Sequence, residues 1–135
     1  MNANCVGNKY PDSFGSFAVA NSQPVYLGAT GNAVATLAAV GTSYIVRRVT
    51  VANASGSVAL ANVTILTSND GNTSNAVTNA AALSTITGTA KYQDLALSTA
   101  AASTVYSGSL YVYVGTAAAA NNSVEVTVYG DVVNL

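Results

Sequence analysis

The feature that most constrains this chain is a two-residue alternation near its C-terminal end. Every second residue over 110–114, in SLYVYVG, and over 124–128, in SVEVTVYGDVV, is a valine or a leucine. Successive side chains of a β-strand point to opposite faces, so this period predicts two strands that each have one apolar face. The loop between them reads AAAANN. The most strongly patterned part of the chain therefore predicts architecture rather than chemistry.

The composition indicates a chain that folds and then associates. Half of the 135 residues are hydrophobic, but only 7% are charged, against about 25% in typical soluble domains. A disordered chain would instead be rich in charge or poor in apolar residues. Because low net charge favours association, and Ser, Thr, Asn and Ala must cover most of the surface, we expect much of that surface to contact other chains.

Charge and cysteine content argue against several classes of protein. A net charge of −1 does not suit nucleic acid, which requires a basic face. Arg47 and Arg48 are the only basic pair, and neighbouring residues of a regular strand point to opposite faces, so we expect no basic patch there. No apolar run reaches membrane-spanning length. Cys5 is the only cysteine, so no internal disulfide is expected.

The first residues do not resemble a secretory signal. They read MNANCVGNKYPDS and lack both a basic start and an apolar core. Two interpretations remain. Either the protein is made and used without export, or a signal was removed before this numbering begins; the initiator Met1 favours the first.

The rest of the chain predicts short strands separated by turns. Residues 1–23 are rich in Asn, Ser and Gly and predict an extended N-terminal arm, followed by one domain over 24–135. Residues 76–87 fit either a short helix or a strand. About seven or eight short strands with frequent turns predict an all-β fold, a single antiparallel β-sandwich or jelly roll. Besides the two C-terminal runs, strands are expected over 25–29, 33–39, 42–53, 58–68 and 90–97.

The strand over residues 42–53 contains an irregularity. Its first face would hold Ile45, Arg47, Val49 and Val51, which places a charge among apolar residues. Either Arg47 lies near an end of the strand or the strand contains a bulge.

The residues that most chemistry requires are absent. The chain has no histidine and one cysteine, so it cannot by itself build a Cys–His or Ser–His nucleophile or a transition-metal site of several His or Cys ligands. Its acidic residues are scattered. Asp70-Gly71 resembles the start of a calcium loop, but no glutamate follows at the distal position, so a turn is the better interpretation. We expect no enzymatic activity, no cofactor and no metal.

Tyrosine is the one enriched residue with functional potential, with eight copies against two phenylalanines. Tyr111, Tyr113 and Tyr129 alternate with the apolar residues of the two C-terminal runs. If the valines face the core, these rings stand on the outer face, side by side if the two strands pair. Ordinary sheet packing, an interface and sugar stacking are the three interpretations of such rings.

The order of segments resembles small β-sandwich proteins encoded among the structural genes of tailed bacteriophages. The similarity covers residues 42–133 and rests on the runs YIVRRVTVANAS, VTILTSNDG, AVTNAAALSTITGTAKYQDLAL and LYVYVGTAAAANNSVEVTVYGDVV, the last resembling a closing hairpin. These proteins include head decoration (cement) proteins, which bind the outside of an assembled capsid, often as trimers, and clamp neighbouring major capsid subunits. Others are knob, tail or fibre modules.

The resemblance implies a virion structural protein on the outer capsid surface, made in the cytoplasm of a bacterial host. Its partners would be the major capsid protein and other copies of itself, with a homotrimer favoured. The alternative is a receptor- or carbohydrate-binding module of a phage tail, fibre or cell surface. In a capsid-binding protein the arm would add contacts to those of the three tyrosines, and its candidate interface residues are Tyr10, Pro11, Phe14 and Phe17.

Overall fold

The computed structural model describes residues 17–39 and 43–133, and nine strands form within them. Helical structure in these ranges is limited to two 3₁₀ turns, Thr73–Asn75 and Thr99–Ala102. The strands are β1 Phe17–Asn21, β2 Val25–Tyr26, β3 Gly31–Ala39, β4 Tyr44–Ala52, β5 Asn62–Leu66, β6 Ala81–Ala82, β7 Gln93–Leu95, β8 Leu110–Thr116 and β9 Ser123–Val132.

The strands pair antiparallel throughout and follow one path, β6-β5-β8-β3-β1-β9-β4-β7, with β2 beside β9. One half of the fold holds β6, β5, β8 and β3, and the other holds β1, β2, β9, β4 and β7. The two halves join where the end of β1 pairs with the end of β3, through the residue pairs Ala20–Ala39 and Asn21–Ala38. This join is short and comprises two residue pairs.

A second connection almost closes the sheet on its other side. It lies within residues 76–98, the segment that contains both edge strands. Thr78 forms an isolated bridge with Leu97, and the Asn79 N–H donates to the Ala96 carbonyl at 2.9 Å. Neither edge is therefore a long unpaired strand, the arrangement that promotes aggregation. The all-β prediction is confirmed, and the fold is antiparallel and sandwich- or barrel-like.

The alternating valines and leucines form the core, as predicted. Burying each such side chain contributes about 1.5–3 kcal/mol relative to leaving it exposed. Six of them are at most 1% exposed, namely Leu110, Val112 and Val114 of β8 and Val124, Val126 and Val128 of β9.

β4 contains a bulge at Arg47, which decides between the two alternatives for that residue. Val46 lies opposite Gly130 and Arg48 opposite Tyr129, so two steps of β4 correspond to one step of β9. The buried side chains of β4 are consequently even-numbered before the bulge and odd-numbered after it. Tyr44 and Val46 are buried before the bulge, and Val49 and Val51 after it. Gly130 is required beside this bulge, because a Cβ there would overlap the Ile45 carbonyl oxygen.

The prediction of an arm over residues 1–23 is wrong for its last part. Residues 17–21 form β1, which lies between β3 and β9, and Val19 and Ala20 are at most 1% exposed. Ser22 is also buried. Its N–H donates to the Val126 carbonyl, and its hydroxyl accepts from the Val126 N–H, both at 2.9 Å. Residues 1–16 lie outside the described part of the chain.

The two C-terminal strands do not pair with each other, so the closing hairpin that the resemblance implied is absent. β3 and β1 lie between β8 and β9, so the connecting loop crosses from one half of the fold to the other. Within the loop the Ala118 N–H donates to the Leu27 carbonyl at 2.7 Å, and Asn121 Oδ1 accepts from the Gly28 N–H at 3.0 Å. Asn122 Nδ2 donates to the Ser57 carbonyl at 3.0 Å. The loop is therefore fixed by its own chain.

The remaining predicted segments differ mainly in length. Within 58–68 only Asn62–Leu66 is a strand, since the Ala61 N–H turns back to the Val58 carbonyl. The ambiguous segment 76–87 contains no helix and contributes the short strand β6. Asp70-Gly71 forms a turn, as predicted: Gly71 has a φ of 72°, and Asp70 Oδ1 accepts from the Asn72 N–H at 2.9 Å.

Candidate functional site

Tyr111 and Tyr113 lie on the outer face of β8, as the alternation predicted. Both side chains are half-buried. Tyr111 stands in register with Thr36 of β3 and Leu66 of β5, and Tyr113 with Thr64 of β5. Thr64 and Leu66 are almost completely buried, whereas Thr36 is exposed. Of the residues in register with the two rings, only Thr36 reaches solvent to a large extent.

This surface carries no charged side chain among the described residues. The strands beside β8 in this half of the fold, β3, β5 and β6, also contain no charged residue. Its polar groups are hydroxyls and one amide. We call it the uncharged face. The side chains through which it reaches solvent are Thr36, Asn62, Tyr111 and Tyr113, whereas Thr64 and Leu66 on the same side of β5 are buried.

The opposite half of the fold holds most of the charge. Side chains on the outer side of β4, β7 and β9 form the charged face, which includes Arg47, Arg48, Asp94, Glu125 and Asp131. Arg47 Nε donates to Asp131 Oδ2 and Arg48 Nε to Asp94 Oδ1, each at 3.1 Å. The described ion pairs are thus confined to one side of the molecule.

The bulge brings both arginines to this same side, contrary to the sequence expectation. In a regular strand Arg47 and Arg48 would point to opposite faces. The bulge instead leaves both side chains about half exposed, at 45% and 51%. Each arginine is paired with a carboxylate, so the two still do not make a basic patch.

Tyr129 lies on the charged face and not beside Tyr111 and Tyr113. It is opposite Arg48 in the register of β4 and β9, and the Arg48 guanidinium carbon is 5.7 Å from the centre of its ring. This geometry suits a cation–π interaction. The three tyrosines predicted as one interface therefore belong to two different surfaces.

The Arg48–Asp94 pair shifts the titration of both groups. The pKa of Arg48 is raised, first because its side chain donates a hydrogen bond to Asp94 and second because of that carboxylate's charge, with smaller effects of Tyr129 and Tyr92. Partial burial raises the pKa of Asp94, but hydrogen bonds from Thr50 and Arg48 and the guanidinium charge outweigh it, so the net pKa is lowered. Both groups are held in their charged forms.

The arm residues proposed as interface contacts are only partly placed. Tyr10, Pro11 and Phe14 lie outside the described residues. Phe17 is the first residue of β1, where it pairs with Gly130, and its side chain is 39% exposed. Phe17 thus belongs to the sheet rather than to a separate arm.

Two other tyrosines, which the sequence reading did not single out, are part of the interior. Tyr44 is fully buried, and its hydroxyl donates to the Gly108 carbonyl at 2.8 Å. Tyr106 pairs with it across an isolated bridge, and their ring centres are 6.3 Å apart. The alternation of Tyr44 with Val46 was the signal that could have identified a buried tyrosine.

The concave features of the described surface offer little chemistry. A cavity of about 180 Å³ is lined by Ile45, Arg47 and residues 102–105. Another of about 170 Å³ is lined by residues 67, 74–76, 100, 104 and 106, which are hydroxyl or amide residues apart from two alanines. Within the described ranges, no three His, Cys, Asp or Glu side chains gather where they could hold a metal ion. No described helix is long and apolar enough to cross a membrane.

Comparison of the chain with protein-family models, with curated proteins and with solved structures finds no match. Inference about function therefore depends on the two outer faces, their charges and the sequence resemblance.

Proposed function

We propose that this chain is a non-enzymatic virion structural protein that binds the outer surface of a phage capsid and stabilises it by clamping neighbouring capsid subunits. The observation that carries the proposal is the uncharged face, on which Tyr111 and Tyr113 stand half-buried while the described charges lie elsewhere. The resemblance of residues 42–133 to phage decoration proteins supports the same conclusion.

An uncharged, hydroxyl-rich face is suited to permanent contact. Burying a charge costs much more free energy than burying a hydroxyl that finds a hydrogen-bond partner. Tyrosine adds a large apolar area together with a hydroxyl that can bond across the interface. The face formed by β3, β5 and β8 therefore docks without the desolvation cost that the ion pairs of the other face would impose.

The partners in this proposal are the major capsid protein and further copies of this chain, with a trimer favoured. Repeated sites on a fixed lattice make each additional contact effectively intramolecular, so modest individual contacts sum to strong retention. The protein would be made in the cytoplasm of the bacterial host and would act on the outer surface of the virion.

Replacing both tyrosines of the uncharged face tests the proposal. The variant Tyr111→Thr with Tyr113→Thr keeps β-favouring side chains and the buried face of β8. We expect its occupancy on purified capsids to fall at least tenfold and the heat resistance of those particles to fall with it. Tyr26→Thr, at a ring that is 57% exposed on β2, is the matched control and should bind normally.

Circular dichroism and thermal unfolding must show that the double variant is folded. Normal occupancy of a folded double variant would contradict the proposal. Particles whose heat resistance is the same with and without the protein would favour the alternative, a receptor- or carbohydrate-binding module of a tail, fibre or cell surface.

A further inference from the structure

The charged face contains a compact group of aromatic and charged side chains, which we call the β4–β7 platform. It consists of Arg48 and Thr50 from β4, Asp94 from β7, Tyr92 immediately before β7, and Tyr129 from β9. Thr50 is in register with Asp94, and Arg48 with Tyr129. Tyr92 lies two positions before Asp94 in sequence, just outside β7, and is close enough to Arg48 to affect its pKa.

The ion pair at the centre of the platform has unused hydrogen-bonding groups. Asp94 Oδ1 accepts from Arg48 Nε at 3.1 Å and from the Thr50 hydroxyl at 2.6 Å. Within the described part of the chain, Asp94 Oδ2 and the two terminal amino groups of Arg48 make no hydrogen bond. A strong acceptor and strong donors therefore stand side by side, fixed in position and open to solvent, with side chains 46% and 51% exposed.

Aromatic rings flank this ion pair. Tyr92 is 61% exposed, which makes it one of the most exposed large side chains described. The Tyr129 ring is 5.7 Å from the Arg48 guanidinium carbon. Both phenol groups contribute to the raised pKa of Arg48, which agrees with their placement around it. A flat apolar surface is thus available next to paired polar groups.

We propose that the β4–β7 platform binds a neutral saccharide. The C–H face of a hexose ring stacks on Tyr92, one hydroxyl of a vicinal pair donates to Asp94 Oδ2, and the adjacent hydroxyl accepts from an Arg48 amino group. Because Arg48 and Asp94 neutralise each other, an uncharged ligand is favoured. An anion would meet the carboxylate, and a protein surface would have to desolvate a charged pair.

This inference goes beyond the proposed function and does not depend on it. The platform lies on the half of the fold opposite the uncharged face, so both surfaces can be occupied in one molecule.

Titration of the isotopically labelled full chain with cellohexaose and maltohexaose, preceded by a neutral-glycan array, tests the inference. We expect amide shifts concentrated at residues 48, 50, 92, 94 and 129. Tyr92→Ala and Asp94→Ala should each weaken binding about tenfold or more, a loss typical of one stacking contact or one charge-assisted hydrogen bond. Asp131→Asn is the matched control. It alters the Arg47–Asp131 ion pair, which lies outside the platform and has the same 3.1 Å nitrogen–oxygen distance as the Arg48–Asp94 pair, and it should leave binding unchanged.

Absence of binding to every neutral saccharide on the array would overturn the inference. Binding that Tyr92→Ala leaves unchanged would do the same. Because Tyr92 is largely exposed, its replacement should not unfold the protein, and the thermal unfolding of each variant checks this. Capsid occupancy of Tyr92→Ala should be normal, so a failure here is distinguishable from a failure of the proposed function.

Discussion

Tyr44 couples the stability of the fold to pH. Its ring is completely buried, and its hydroxyl donates to the Gly108 carbonyl at 2.8 Å. Burial, with a smaller effect of neighbouring Tyr106, raises the pKa of Tyr44 to about 12. The folded state therefore holds the phenol proton more tightly than the unfolded state, in which the pKa is near 10.

Stability is expected to fall as pH rises from about 10 to about 12. Between these values the unfolded chain loses the Tyr44 proton while the folded chain keeps it, so alkali favours unfolding. The loss attributable to Tyr44 is about 3 kcal/mol. Denaturant unfolding at stepwise pH measures it. Tyr44→Phe should reduce this slope and leave the part due to Tyr106, whose pKa is also raised by burial. Tyr26→Phe, at an exposed ring, is the control and should keep the slope; an unchanged slope in Tyr44→Phe would contradict the assignment.

At the scale of elements, Ser22 continues the pairing with β9 between β1 and β2, both of which pair with β9. Its hydroxyl accepts from the Val126 N–H at 2.9 Å, at the point where the backbone leaves the regular ladder. Pro24 follows and cannot donate a backbone hydrogen bond. The side chain thus replaces the backbone group that a regular strand would have provided.

Ser22→Ala is expected to lower the free energy of unfolding by about 1–3 kcal/mol, because it leaves the Val126 N–H buried without an acceptor. Ser84→Ala, at an exposed serine, is the control and should change stability by less than about 0.5 kcal/mol. Denaturant unfolding gives both values, and faster amide exchange at Val126 would locate the effect. A stability equal to that of the control would show that another group or a water satisfies this N–H.

The elements also show what sequence reasoning could and could not predict. Alternation identified the strands β4, β8 and β9 and the buried faces of β8 and β9, because the period of a strand is a local property. It could not identify their neighbours, since a valine face packs equally well in several sheet orders. β1 was missed because FAVAN is too short to show a period and stands among Asn, Ser and Gly.

The same distinction applies to the candidate sites: features local to one strand were predictable from the sequence, and contacts between strands were not. The outward position of Tyr111 and Tyr113 follows from alternation within one strand, so it was predictable. The Arg48–Asp94 pair joins residues 46 positions apart, and only the register of β4 and β7 places them together. The sequence left two alternatives for Arg47, a position near the strand end or a bulge. The bulge, which turns both arginines outward, forms where Gly130 lets the backbone of β4 approach closely.

At the scale of the whole molecule, β1 holds the two halves together. It pairs with β9 on one side and meets the end of β3 on the other. A deletion intended to remove only an arm must therefore stop before Phe17. The boundary predicted from sequence, after residue 23, would remove a buried strand.

Deletion of residues 1–23 is expected to abolish cooperative unfolding, because it removes Val19, Ala20 and the Ser22 bonds from the core and exposes an edge of β9. Deletion of residues 1–16 leaves every contact described above in place and should retain a cooperative transition. Thermal unfolding followed by circular dichroism distinguishes the two. A cooperative transition in the longer deletion would refute the structural role of β1; capsid occupancy of the shorter one measures what residues 1–16 contribute to binding.

The central position of the last strand has a consequence for biosynthesis. Among the described strands β9 is the last in chain order, yet it lies between β1 and β4 and bonds to Ser22 from 104 positions away. Until it emerges, the earlier strands wait with unsatisfied edges, and such long-range pairing is intrinsically slow. Completion of the sheet therefore waits for the synthesis of β9, and chains that still lack it are the form most exposed to aggregation and to chaperones.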